Sequence, residues 1–142
     1  MLLQWEYMQG DGDFRSSEVK ELRAQADLII TNPPFSLFRE FLTWLLEAQK
    51  SFIVIGNINC ITYKEVFPLF MDNLAWLGHG MGRWISGFIV PDSYELYGTE
   101  ARVEEGKRIV STNNALWLTN VDHSRRHKPL SLMSESDNIK FS

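Results

Sequence analysis

Apolar and polar positions along the first part of the chain switch between the period of a helix and that of a buried strand. A first helix is predicted over about 17–25, capped by Ser16 or its neighbour. Residues 27–31 are apolar and rich in β-branched side chains, which predicts a short buried strand that ends where two prolines follow. An amphipathic helix over about 36–49 and a second buried strand over 51–56 come next.

The rest of the chain has a less regular pattern. Residues 62–65 fit a capping box, which predicts a third helix that Pro68 would end or kink. Further short strands are predicted at 2–8, 74–77, 87–90 and 115–119. The segment 91–114 is polar and lacks a clear period, so we expect a loop there. The serine-rich tail, 131–142, is predicted to be poorly ordered.

Strands that alternate with helices at this spacing indicate an α/β domain with a mostly parallel sheet and flanking helices. The chain has 142 residues, enough for one compact domain, which we assign to residues 1–130. Ligands of such sheets bind at the carboxyl ends of the strands. The sequence Asn-Pro-Pro-Phe at 32–35 follows a predicted strand and is therefore the first candidate site.

Composition narrows the function classes. A net charge of −4 and a pI near 5.3 lack the strongly basic character of a free-standing nucleic-acid binder. The single cysteine, Cys60, excludes an intrachain disulfide framework and a multi-cysteine zinc site, and no metal is predicted. The N-terminus does not resemble a signal peptide, and no apolar segment approaches the roughly 20 residues of a membrane span. We therefore expect a cytoplasmic protein that does not enter a membrane.

The Asn-Pro-Pro-Phe motif has the chemistry to bind and activate a planar amine. The lone pair of an aromatic amino group is delocalised into its ring, and two acceptors beside its N–H groups would draw the nitrogen toward tetrahedral geometry. The Asn32 side-chain oxygen and the Pro33 carbonyl can supply those acceptors. Pro33 and Pro34 stiffen the loop, and Phe35 offers a flat face for a base. The alternative is an ordinary turn.

This motif and its flanks resemble the EcoRI-type adenine-specific DNA methyltransferases. The similarity is carried by residues 26–40, by 55–57 with 61–65, and by 117–123, and it extends over about 10–130. The resemblance implies the substrate-binding part of a Rossmann-like fold and transfer of a methyl group from S-adenosylmethionine to a flipped adenine in DNA. It also implies a place in restriction-modification and catalytic roles for Asn32, Pro33, Pro34 and Phe35.

Other residues match the family less specifically. Asp13 and Phe14 stand where related enzymes place an Asp-Phe pair against the adenine of the cofactor, although a turn that caps a helix explains them almost as well. Trp117, with Trp84 as a second candidate, stands where an aromatic residue often contacts the flipped base, although a core tryptophan is the alternative. The basic run 125–128 suits either DNA phosphate or a solvated turn.

The glycine-rich loop and acidic residue that hold the cofactor in this class are absent from the sequence, so we expect weak or no S-adenosylmethionine binding by the chain alone. We also expect an exposed sheet edge and apolar face, which a homodimer or a complementing subunit would cover. Three alternatives to DNA methylation stay open. They are a non-catalytic remnant or binding subunit, methylation of RNA bases or protein glutamine, and a structural domain with a buried loop.

Overall fold

The computed structural model describes residues 4–78, 87–96, 101–111 and 114–129, together with 132, 134 and 139. Its helices are α1 (Ser17–Gln25), α2 (Phe38–Glu47) and α3 (Phe67–Met71). Its strands are β1 (Leu28–Thr31), β2 (Ser51–Asn57), β3 (Trp76–Leu77), β4 (Phe88–Val90), β5 (Ala101–Glu104), β6 (Lys107–Val110) and β7 (Ala115–Thr119). Short 3₁₀ helices cover Phe35–Leu37, Ile58–Thr62 and Ser124–His127. The prediction of an α/β protein is confirmed.

The strands form two sheets. The first has the order β1-β2-β7-β3, in which β1 and β2 are parallel while β7 is antiparallel to both of its neighbours. The second has the order β4-β6-β5 and is antiparallel. The predicted mostly parallel sheet is therefore not confirmed, because β1–β2 is the one parallel pair among the described strands. Only that pair has a helix between its strands, as a parallel connection requires.

Helix α2 covers one face of the first sheet. Its apolar residues follow the spacing i, i+3, i+4, i+7 and are all buried: Phe38, Phe41, Leu42 and Leu45. They pack with alternate residues of β2 and β7, namely Phe52, Val54, Leu116 and Leu118. Each such side chain stabilises the fold by about 1.5–3 kcal/mol through burial. The layer between α2 and this face of the sheet is the hydrophobic core of the described residues.

The opposite face of the first sheet is covered much less. Leu28, Ile30, Ile53 and Trp117 lie on it, because they alternate along their strands with the buried positions. Ile30 is 62% exposed. An apolar pocket of about 370 Å³ opens here, lined by Ile30, Ile53, Gly78 and Trp117 among others. We call this surface the open face.

The predicted third helix is placed wrongly. The predicted helix start at 62–65 lies instead at the end of a 3₁₀ helix, 58–62, and in the turn after it. The 3₁₀ helix begins directly after β2 because the Asn57 side chain accepts from the Asn59 backbone N–H. Helix α3 then begins at Phe67, with Pro68 in its first turn rather than at its end. A proline is tolerated there because that N–H has no partner within the helix.

Two further predictions are wrong. Residues 4–8 of the strand predicted at 2–8 are not a strand, and residues 2 and 3 lie outside the described residues. The segment 91–114 contains the β5–β6 hairpin, which turns at Glu105 and Gly106 with φ of 50° and 76°. The strands at 74–77 and 87–90 are confirmed as the shorter β3 and β4, but β4 belongs to the second sheet.

Elements with strong local signals are found where they were predicted. Helix α1 covers 17–25, and the Ser16 side chain accepts from the Val19 N–H as its cap. Strands β1, β2 and β7 agree within one residue. Most of the tail, 131–142, lies outside the described residues, so its predicted disorder stays a prediction. None of the described helices has the length and apolar character to span a bilayer.

Candidate functional site

The Asn-Pro-Pro-Phe loop connects the carboxyl end of β1 to α2, as the sequence predicted. More exposed and less exposed side chains alternate in the loop as they do in β1, so that Asn32 is exposed, Pro33 is buried and Pro34 is exposed. The Leu37 N–H donates to the Pro34 carbonyl at 3.0 Å, which fixes the corner. Phe35 begins the 3₁₀ helix and is 41% exposed. The loop is therefore accessible, whereas the alternative of a purely structural domain predicts a buried loop.

Both predicted acceptors of the loop are available. Within the described part of the chain, the Asn32 side chain makes no hydrogen bond and the Pro33 carbonyl accepts none. An asparagine with a structural role normally binds backbone groups, as Asn57 and Asn120 do here. Asn32 is therefore exposed with an unused side-chain oxygen at the rim of the sheet, and the carbonyl of the buried Pro33 has no partner in the described part of the chain.

A tightly packed layer supports this loop from below. Phe38, three residues after Phe35, lies over Gly56, where an added β carbon would be 2.9 Å from the Phe38 ring and 3.0 Å from the Cys60 Sγ. Cys60 is fully buried, and burial raises the pKa of its thiol to about 11. Cys60 is therefore a protonated core residue and not a nucleophile at neutral pH.

A second loop lies beside the motif at the same end of the sheet. The guanidinium of Arg39, in the first turn of α2, lies 4.2 Å from the ring centroid of Tyr63, which follows β2. Arg39 Nε is 3.9 Å from Glu65 Oε2, an atom that is buried and has no hydrogen-bond partner. This cluster is not evident from the sequence, where residues 62–65 fit a helix start. The one feature of the sequence that points to this cluster is the positively charged Arg39, four residues after Phe35.

Trp117 lies at the level of the motif on the open face. Thr31 pairs with Val54 and Trp117 pairs with Ile55, so one step beyond β1 brings Asn32 level with Trp117. The two are separated by two strand spacings, about 10 Å. Trp117 is partly exposed and lines the apolar pocket. The second candidate, Trp84, lies outside the described residues.

Asp13 and Phe14 are already engaged within the protein. The Asp13 carboxylate accepts from the Arg15 backbone N–H and side chain at 2.7–2.9 Å, and these hydrogen bonds lower its pKa from 3.8 to about 2. Phe14 is only 8% exposed and packs edge-on against Phe41 and Trp44. The turn keeps Asp13 ionised and partly exposed, whereas most of the Phe14 ring is buried and the remainder lines a pocket with Arg15 and Trp44.

The basic run 125–128 lies at the far end of the sheet from Asn32. Asn120, which follows β7, binds the Phe52 N–H and the Lys50 carbonyl at the amino end of β2. Arg126 stacks on Trp76 at 3.7 Å and pairs with Asp122 and Asn73. Hydrogen bonds from His127, the larger cause, and from Arg126 lower the pKa of Asp122. The solvated turn is the alternative that these contacts favour.

Comparisons with known proteins identify the family of the chain. A family model described as adenine-specific methyltransferase EcoRI matches residues 3–142. The chain belongs to this family. Over 124 residues it is 60% identical to the type II methyltransferase M.EcoRI of Escherichia coli, which covers 87% of the chain and 38% of that relative. The EcoRI methyltransferase resemblance in the sequence is thereby confirmed.

More distant relatives show the same partial coverage. The chain is 35% identical over 117 residues to a type II methyltransferase of Mycoplasma genitalium, and 32% identical over 120 residues to M.MpnI of Mycoplasma pneumoniae. These matches cover 80% and 82% of the chain and 37% of each relative. The chain therefore spans less than two fifths of the length of the EcoRI-family proteins it matches. No solved structure matches it significantly.

Proposed function

We propose that this chain is the target-base part of an adenine-specific DNA methyltransferase. The observation that carries the proposal is the accessible corner at the end of β1, where the Asn32 oxygen and the Pro33 carbonyl have no partner among the described residues. Membership of the EcoRI family supplies the substrate class. The first sheet would then be part of a Rossmann-like fold, with residues 1–130 as the domain and 131–142 as a tail.

The loop would act on the amino group of a flipped adenine. Asn32 Oδ1 and the Pro33 carbonyl oxygen accept from the two N–H groups, and this directs the nitrogen lone pair away from the adenine ring. Pro34 holds the corner through its carbonyl bond to Leu37, so the acceptors need no rearrangement when the base arrives. No charged group is required, because the site works by position and by hydrogen bonding.

Two aromatic residues would hold the base. Phe35 is exposed beside the acceptors, and its ring suits stacking on a flipped purine. Trp117 lies about two strand spacings from Asn32, on the sheet face that the Asn32 side chain shares. We assign Phe35 as the stacking partner and Trp117 as the boundary of the base pocket on the side of the open face.

S-adenosylmethionine would supply the methyl group as an electrophilic sulfonium when bound. Of the predicted pair, Asp13 keeps lone pairs and 34% side-chain exposure, so its carboxylate suits the adenine amino group of the cofactor. Phe14 does not fit the stacking role and instead fixes the turn from inside the core. We accordingly propose weak cofactor binding by this chain alone. Isothermal titration that gives a Kd below about 10 µM would contradict this.

The open face would be covered by another protein surface, either a second copy of this chain or a complementing subunit. Its exposed Leu28 and Ile30 and its apolar pocket are features that soluble domains normally bury. Sedimentation equilibrium tests this, because a monomer at all concentrations would leave the homodimer without support. A cytoplasmic location stays a prediction.

The test of the function is methyl transfer from labelled S-adenosylmethionine to a duplex, with N6-methyladenine as the measured product. The chain is assayed alone and with the M.EcoRI polypeptide from which the 124 matching residues have been removed. We expect product in the second mixture and none after Asn32→Ala. RNA and glutamine-containing protein are the comparison substrates.

The same assay separates the alternatives. Methylation confined to RNA or to protein would replace the DNA assignment by one of those substrates. An absence of product with every substrate and in both mixtures would favour the non-catalytic remnant. If Asn32→Ala retained full activity, the roles given to the loop would be wrong even for an active enzyme.

A further inference from the structure

We propose that Arg39 binds a DNA backbone phosphate next to the flipped adenine, with Tyr63 holding its guanidinium in place. The inference rests on the proposed function, since it names a second contact to the same substrate. Arg39 is four residues after Phe35 and lies in the first turn of α2, directly after the 3₁₀ helix that Phe35 begins, so it is close to the motif along the chain. A base stacked on Phe35 would bring its own phosphates near Arg39.

The hydrogen-bonding capacity of Arg39 is unused. Five other arginines in the described part of the chain donate hydrogen bonds: Arg15, Arg23, Arg102, Arg108 and Arg126. Arg39 donates none, and its ion pair with Glu65 is long, at 3.9 Å, and uses the Nε side. Both terminal nitrogens therefore remain free to bind two oxygens of one phosphate, the geometry that a guanidinium favours.

The guanidinium is also held in position before any ligand arrives. Its carbon lies 4.2 Å from the centroid of the Tyr63 ring, while the side chain as a whole is 58% exposed. Stacking restricts the rotamers of Arg39 without covering its donors, which lowers the entropy lost on binding. The carboxylate of Glu65 lies near it, with its Oε2 3.9 Å from Arg39 Nε.

The net negative charge of the chain gives weight to a positively charged residue beside the motif. The chain carries a net charge of −4, so a polyanionic substrate gains little from the protein as a whole. Arg125 is the only other described arginine that donates no hydrogen bond, and it lies at the far end of the sheet. Arg39 is the one with free donors beside the motif.

The test measures binding of the 142-residue chain to a short duplex that carries one unpaired adenine, which fixes the register. Fluorescence anisotropy is recorded against salt. We expect Arg39→Gln to weaken binding about tenfold and to lower the salt slope by about 1. Arg125→Gln is the matched control and should change neither. Arg39→Lys should recover only part of the affinity, because it keeps the charge without the stacked fork.

Phosphate replacement locates the contact. Neutral methylphosphonates are placed one at a time in the strand with the unpaired adenine. One position beside that adenine should weaken the wild-type chain about tenfold and leave Arg39→Gln unaffected. The proposal is overturned if the two proteins respond alike at every position, if Arg125→Gln mimics Arg39→Gln, or if the chain does not bind the duplex at low salt. None of these measurements requires methyl transfer, so their failure is separate from failure of the proposed activity.

Discussion

Gly56 lies so close to Phe38 that a β carbon on the glycine would be 2.9 Å from two atoms of the ring. This contact joins the end of β2 to the start of α2, directly beneath the Asn-Pro-Pro-Phe loop. The absence of a side chain at position 56 therefore sets how closely the helix approaches the sheet. The position of Asn32 depends on that approach, because the loop leads from β1, the parallel neighbour of β2, into α2.

Gly56→Ala should destabilise the protein by about 1–3 kcal/mol, the usual cost of inserting a methyl group into a packed core. Urea denaturation followed by circular dichroism measures this as a lower midpoint. Phe38→Leu in the same chain removes the ring and should make the alanine less costly, so that the two changes are not additive. If the two losses of stability were strictly additive, the alanine methyl group would not be in contact with the Phe38 ring.

Asn120→Ala should also destabilise the fold, by about 1–3 kcal/mol, because it leaves the Phe52 N–H and the Lys50 carbonyl without their partner. Asn32→Ala is the matched control, since the Asn32 side chain makes no hydrogen bond to the described residues. It should change stability by less than about 0.5 kcal/mol. A large loss of stability in Asn32→Ala would show that Asn32 has a structural partner.

The Asp13 carboxyl should titrate near pH 2, below its usual 3.8, because Arg15 binds the ionised form. The sign follows from this depressed pKa. The hydrogen bonds are complete above about pH 4 and are lost as the pH falls through 2. Carboxyl chemical shifts in NMR spectra measure the titration, and Arg15→Ala should return it toward 3.8. An Asp13 that titrates at its usual value in the wild type would contradict the pairing.

Cys60 should resist alkylation in the folded protein at pH 7.5, because it is fully buried and its thiol has a pKa of about 11. A thiol reagent with a chromophore should react over hours in buffer and within seconds to minutes in guanidinium chloride. The denatured sample is the control for reagent and protein. Fast stoichiometric reaction of the native chain would indicate that the layer beneath the loop opens readily.

Parts of the fold could be predicted where a local signal decides the structure. Strands β1, β2 and β7 are short and mostly apolar runs, a pattern that favours strands packed in a sheet. The β5–β6 hairpin was missed because its strands carry charges and its turn is Glu105-Gly106 rather than Asn-Gly or Asp-Gly. The helix start at Phe67 is not evident from the sequence, because a proline can either end a helix or stand in its first turn, as Pro68 does.

The candidate site divides in the same way. Asn32 to Phe35 form a contiguous motif, so sequence alone places them at the end of a strand. The Arg39–Tyr63 contact joins residues that are brought together only by the parallel pairing of β1 with β2, which no local pattern reveals. Phe14 illustrates the opposite case, since sequence cannot say whether an aromatic ring faces a ligand or, as here, the core.

Strands β3 and β7 are neighbours in the sheet although about 37 residues separate Leu77 from Ala115 along the chain. The intervening segment, which contains the second sheet, thus departs from and returns to adjacent positions. Because the entropy of closing a segment grows only slowly with its length, this insert can lengthen, shorten or be exchanged at little cost to the rest of the domain. The sheet that positions Asn32 is thus insulated from changes in the length of this insert.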